Sequence, residues 1–129
     1  MSTGFPASTG DVLSAAMYNG LVTFDVVADK TDDYTLVLTD SYQNLIPMNK
    51  ATAVALNIPT DATAAIPVGS VITVLNKGVG DVTISAVTPG TTTVLSAGAT
   101  AASPTLAQFK TAACIKTAAD VWYVVGAIG

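Results

Sequence analysis

The sequence predicts an all-β domain, an antiparallel sandwich or barrel of jelly-roll-like type with about eight strands behind a short N-terminal arm. Two observations carry that prediction. Short runs rich in Val, Ile, Thr and Leu alternate apolar and polar residues with a period of two. Gly, Pro, Asp, Asn and Ala separate them at the spacing of a sandwich rather than of a parallel α/β sheet. With 129 residues the chain is long enough for one core, since a domain of this size buries roughly two-thirds of its unfolded surface.

Residues 1–20 form the arm. "MSTGFPASTG" is small, polar and broken by Gly and Pro, a composition for an irregular segment ordered by what it lies on. In "GDVLSAAMYNG", Ser14 is placed as a helix N-cap, Ala15 to Asn19 as about one turn, and Gly20 as the stop. One turn does not stand alone in water, so it needs a surface to dock on.

The β domain spans residues 21–129. "LVTFDVVA" sets Val22, Phe24 and Val26 opposite Thr23 and Asp25, and "YTLVLTD" sets Leu36 and Leu38 opposite Thr35, Val37 and Thr39, so both read as half-buried strands. Further strands are expected in "AVALNIP", "SVITVLNK", "DVTISAV", "TTTVLS", "TAACIKTA" and "VWYVVGAI". Two hairpins are expected. Gly78 to Gly80 folds "VITVLNK" back onto "DVTISAV", and "TAAD" turns "AACIK" onto "VWYVVGAI". "SAGATAASPTLAQ" is either a loop or the start of a short helical turn at Ser103 and Pro104. No internal repeat stands out.

Composition narrows the function. Hydrophobic residues make up 50% of the chain and charged residues 11%, against about 25% charged in an average soluble protein. The mean hydropathy is +0.56. A small domain with so few ions resists association poorly, so burial against other subunits is expected. His, Arg and Glu are absent from the sequence. That removes the side chain that titrates near neutrality and the bidentate fork for phosphates and carboxylates. The net charge of −4 and isoelectric point near 4.2 oppose nucleic-acid binding. The single Cys114 lies in an apolar strand and reads as a reduced core residue rather than a reactive thiol. No secretory leader and no membrane span are read from the chain, which points to synthesis in a reducing cytoplasm.

Candidate chemistry is sparse. Asp29, Asp32 and Asp33 in "ADKTDDY" lack the alternating ligands, central Gly and terminal Glu of a Ca²⁺ loop, and read as a solvated turn. No acid pair is singled out for hydrolysis, and no Ser-x-x-Lys or Gly-x-Ser-x-Gly motif supplies an activated nucleophile. "VGSVITVLNKGVG" has the wrong glycine spacing for a phosphate loop and no Ser or Thr after its Lys. Catalytic, cofactor-binding and metal-binding residues are therefore expected to be none. Trp122 and Tyr123 alternate on the last strand, so one ring enters the core and the other faces solvent or a neighbour. A sugar-stacking platform is the alternative use of that pair.

Two segments carry a resemblance. "GDVLSAAMYNGLV" resembles a short motif near the N-termini of tailed-bacteriophage structural proteins. The order "YTLVLTD", "LIPMNKATAVALNIP", "IPVGSVITVLNKGVGDVTISA", "TVLSAG", "AACIKTAADVWYVVGAI" is similar to a β domain of phage fibre, baseplate and head-decoration proteins. The resemblance implies a virion structural protein that associates as a homotrimer, with no catalysis and no cofactor. Its partners would be sister subunits and the major capsid protein or other virion proteins, without nucleic acid or membrane. The shortness of the chain favours a head decoration or cement protein over a long fibre. A tail fibre or baseplate subunit and a host-surface carbohydrate-binding module are the alternatives. Phe5, Val12, Leu13, Met17, Tyr18 and Leu21 are the apolar anchors of the arm and the expected docking residues.

Overall fold

A computed structural model describes residues 25–41 and 44–128. The docking-arm candidates Phe5, Val12, Leu13, Met17, Tyr18 and Leu21 lie outside the described residues, as does the expected turn after Ser14. Within them the chain is all-β, with ten strands: β1 (Asp25–Val26), β2 (Tyr34–Thr35), β3 (Asn44–Met48), β4 (Val54–Ile58), β5 (Val71–Asn76), β6 (Val82–Ala86), β7 (Thr93–Leu95), β8 (Thr105–Leu106), β9 (Thr111–Ala118) and β10 (Val121–Gly126). They form a six-stranded sheet in the order β1-β3-β5-β9-β10-β7 and a four-stranded sheet in the order β2-β4-β6-β8.

Both sheets are mixed, which corrects the antiparallel expectation. The chain changes sheet after every strand from β1 to β9, and from β1 to β6 the next neighbour in a sheet is reached after a full circuit and pairs parallel, β1 with β3, β2 with β4, β3 with β5 and β4 with β6. Leu45 faces Thr73, and Val54 faces Val82, across the same number of intervening residues. Residues 45–58 and 73–86 are therefore two successive coils stacked in constant register, a repeat of backbone path that the sequences of the coils do not advertise. Antiparallel β9 ends the parallel run in one sheet and antiparallel β8 ends it in the other.

The corner between β5 and β6 shows why the expected hairpin does not form. Lys77 N–H donates to the Met48 carbonyl at 2.7 Å, Gly80 N–H to the Lys50 carbonyl at 3.0 Å, and Val54 N–H to the Asp81 carbonyl at 3.0 Å. These bonds lay the Gly78–Gly80 segment on the corner of the preceding coil instead of folding β6 onto β5. A Cβ on Gly78 would meet the backbone of Lys50, and one on Gly80 the backbone of Thr52. Both glycines are needed because backbone packs directly on backbone. Asn76, wholly buried, closes the corner: its Nδ2 donates to the Gly80 and Leu106 carbonyls at 2.9 and 2.8 Å, and its Oδ1 accepts from Gly78 N–H at 3.0 Å.

Two further expectations shift for local reasons, and one left open is decided. The strand expected to run to Asp40 stops at Thr35, because the Asp40 carboxylate captures Val37 N–H at 2.8 Å and the Tyr34 hydroxyl at 2.7 Å and winds Leu38–Ser41 into a 3-10 turn. β3 is not among the expected strands, and it contains Pro47, which has no N–H to give a ladder. Pro47 is accommodated on the side facing the short β1, where its carbonyl accepts from Lys30 N–H at 2.8 Å. Residues 101–104 form a loop with no helical turn. The β9–β10 hairpin is present as expected, with Asp120 at φ +53° in its turn and a register shift between Val121 and Trp122.

One core cluster draws on both sheets. Ile46, Met48, Ile72, Val74, Cys114, Trp122 and Val124 from the larger sheet join Val54, Leu56, Ile58, Val82, Ile84 and Leu106 from the smaller, with Leu36 and Ile66 from the connections. Trp122 enters this core and Tyr123 does not, as their alternation predicts.

Candidate functional site

The opposite face of the six-stranded sheet is the feature that stands apart. Register places its outward side chains in rows across the strands. Leu95, Tyr123, Ile115 and Val71 form one row. Val125, Ala113, Thr73, Leu45 and Val26 form the next, and Thr111 and Leu75 a third that ends on the buried Pro47. None of these residues is charged. Val26 is 66% exposed, Val125 46%, Val71 44% and Tyr123 42%. Val26 was expected on a half-buried strand, but both residues of β1, Asp25 and Val26, are exposed.

The local reason is plain in each strand. In β5, "VITVLN" buries Ile72, Val74 and Asn76 and leaves Val71, Thr73 and Leu75 outside; in β9, "TAACIKTA" buries Ala112, Cys114 and Lys116 and leaves Ala113 and Ile115 outside. Both sides of each strand are largely apolar, as strands buried on both faces read. Six strands at about 4.8 Å by roughly five residues at 3.3 Å give a face on the order of 500 Å². An exposed apolar patch of that size is the kind that marks an interaction site. Phe109, 77% exposed and at φ +63°, sits beside the Leu75–Thr111 end of the sheet, where its N–H donates to the Asn76 carbonyl at 2.6 Å. A bulky residue in the left-handed region is unusual.

The charged side chains gather elsewhere. Asp29 accepts from Lys77 Nζ at 2.9 Å and from Asn49 Nδ2 at 3.1 Å, Asp32 pairs with Lys50 at 2.9 Å, and Asp33 accepts from Ala55 N–H at 2.9 Å. The acidic turn therefore braces the β1–β2 connection against the corners of both following coils. The Lys77 ammonium holds the Asp29 carboxyl below the usual carboxylate range, and Lys50 does the same for Asp32. Among the described residues no three metal-ligating side chains converge. Burial pushes the Cys114 thiol up to about 12, so it is a core residue with little thiolate at neutral pH.

A second polar cluster was not foreseen. Lys116, 3% exposed, pairs with Asp61 beneath the β9–β10 turn, and Asp61 and Asp120 exchange hydrogen bonds between side chain and backbone at 2.9 and 3.2 Å. The period of two in β9 placed Lys116 on the inner face, but the Asp61 partner lies 55 residues away and has no local signal. A surface depression of about 410 Å³ beside Ser96, Ala99, Ser103, Pro104 and Ile128 has no titratable side chain in its lining. Trp122 is buried, so among the described residues the rows of this face hold one aromatic ring, Tyr123, and Trp122 does not pair with it as the platform considered from sequence.

Burying the charge-free face would require no ion to be desolvated, which makes it suited to protein contact. Compared with known family models, curated proteins and solved structures, the chain matches none.

Proposed function

We propose that this protein is a structural subunit of a tailed-phage virion, a head decoration or cement protein that binds and stabilises the shell as a homotrimer. The single observation that supports the reading is the charge-free outer face of the six-stranded sheet, spanning Val71, Ile115, Tyr123 and Val125. In this reading the two sheets act as the halves of a sandwich, and the outer face meets a sister subunit. Closed cyclic association disposes of such a face without leaving a free copy of it.

The face alone is too small. On the order of 500 Å², it falls short of the roughly 800 Å² per partner of a standard interface. The N-terminal arm, with Phe5, Val12, Leu13, Met17, Tyr18 and Leu21, supplies the remaining contact with the capsid or a neighbouring subunit. The action is binding: several modest interfaces multiplied by avidity, without catalysis or cofactor.

Native mass spectrometry of the full chain, beside a Tyr123→Lys, Val125→Lys double variant, tests the reading. Both positions are exposed, so the variant retains its fold. A trimer that becomes monomeric in the variant is the expected result. A wild-type chain that is monomeric at every concentration, or a trimer indifferent to the two lysines, refutes the use of this face. Quantitative mass spectrometry of purified virions then separates a shell-covering role, with copy number comparable to the capsid protein, from a tail role.

A further inference from the structure

Lys116 stands on the inner face of β9, in register with Trp122 of β10. Both side chains are almost wholly buried, at 3% and 1% exposed. Lys116 Nζ lies 2.5 Å from Oδ1 of Asp61 and 2.5 Å from the Ile66 carbonyl oxygen. The other carboxyl oxygen, Oδ2, accepts a hydrogen bond from Asp120 N–H at 3.2 Å. Asp120 is fixed in turn, because its Oδ1 accepts from Asp61 N–H at 2.9 Å and from the Thr92 hydroxyl at 3.1 Å.

This arrangement holds more than an ion pair needs. An amine is seated against a carboxyl group, a backbone donor sits on the carboxyl oxygen away from it, and a carbonyl stands ready for the amine's hydrogen. The Lys116 ammonium, 3% exposed against 30% for the Asp61 side chain, loses much of the attraction of its partner to its own desolvation. An uncharged amide in the same place would not.

We propose that Lys116 and Asp61 condense to an intramolecular isopeptide bond, which clips the β4–β5 connection onto β9. One proton passes from Nζ to Oδ1, leaving a neutral amine and a carboxylic acid. The Nζ lone pair then attacks Cγ, and the negative charge that develops on Oδ2 is met by Asp120 N–H. A second proton moves from the nitrogen to Oδ1, the Cγ–Oδ1 bond breaks, and Oδ1 leaves as water. The amide keeps one N–H for the Ile66 carbonyl, and its oxygen keeps the bond from Asp120. No oxidant, cofactor or external reagent enters the balance. The fixed approach of the two groups replaces a bimolecular encounter, and the 30% exposure of the Asp61 side chain gives the water a way out.

The test is the intact mass of the full-length chain, measured under denaturing conditions after circular dichroism has shown it folded. The expected wild-type mass is one water below that of the sequence, with Lys116→Arg and Asp61→Ala at full mass. Proteolysis of the wild type should release a branched peptide joining the segments around Asp61 and Lys116. A folded wild-type chain at its full sequence mass, or a branch mapped to other residues, overturns the proposal. The deciding measurement uses the unaltered chain, so it holds whether or not the variants fold.

Discussion

Replacing Gly80 with alanine probes the stacking of the coils. The new Cβ would collide with the carbonyl and carbonyl carbon of Thr52 and with the nitrogen of Ala53. All of these are backbone atoms, so no side chain can rotate away. Gly80 does not lie in the left-handed region, and alanine is acceptable to its own dihedrals, so the effect isolates the collision. Overpacking of a close contact costs about 1 to 3 kcal/mol, and backbone against backbone places this substitution at the upper end, about 3 kcal/mol. For a chain of this length that lowers the melting temperature by roughly 10 °C. Gly90→Ala is the internal control, because nothing lies within 4 Å of its added Cβ. Thermal melts followed by circular dichroism compare the two. If β5 and β6 formed a simple hairpin, Gly80 would stand in an open turn and alanine would clash with nothing. A Gly80→Ala variant melting within about 2 °C of the wild type would refute the stacked-coil account.

Three other outcomes follow from the buried polar and sulfur groups. Asn76→Ala strands the Gly80 and Leu106 carbonyls and Gly78 N–H in the core, and should lower stability by about 3 kcal/mol in urea unfolding; a loss under about 1 kcal/mol would show that water enters this corner. Cys114 should resist maleimide at neutral pH in the folded chain and react fully in denaturant, with rapid labelling of the native state as the contrary result. The same thiol gives an alkaline limit: its value is raised from 9.0 to about 12 in the folded state, so the folded chain holds the proton more tightly. That contribution to stability is complete below pH 9.0 and is lost as pH rises toward about 12.

The strands themselves were legible because their signal is local. Alternation in "VITVLN", "VTISA", "TAACIKTA" and "VWYVVG" states which side chains share a side, and the burial of Ile72, Ile84, Cys114 and Trp122 follows it. The β9–β10 hairpin was equally legible, since its turn and both its strands are contiguous. Asp40 was read as part of a strand because a period of two cannot reveal that one carboxylate will take the N–H of Val37.

By itself, then, the sequence determined an all-β chain poor in ions, without His, Arg or Glu, whose short runs alternate apolar and polar residues. It could not say which strands are neighbours, because a glycine corner that turns back and one that crosses to a second sheet carry the same local composition. The tertiary structure decided that Gly78 and Gly80 lie on the preceding coil, that Asp61 reaches Lys116, and that Val71, Ile115, Tyr123 and Val125 come together on one open face. The physical reason is that pairing of distant segments is selected by the total burial and hydrogen bonding of the whole fold, whereas strand character is set by the dihedral and side-chain preferences of a few consecutive residues.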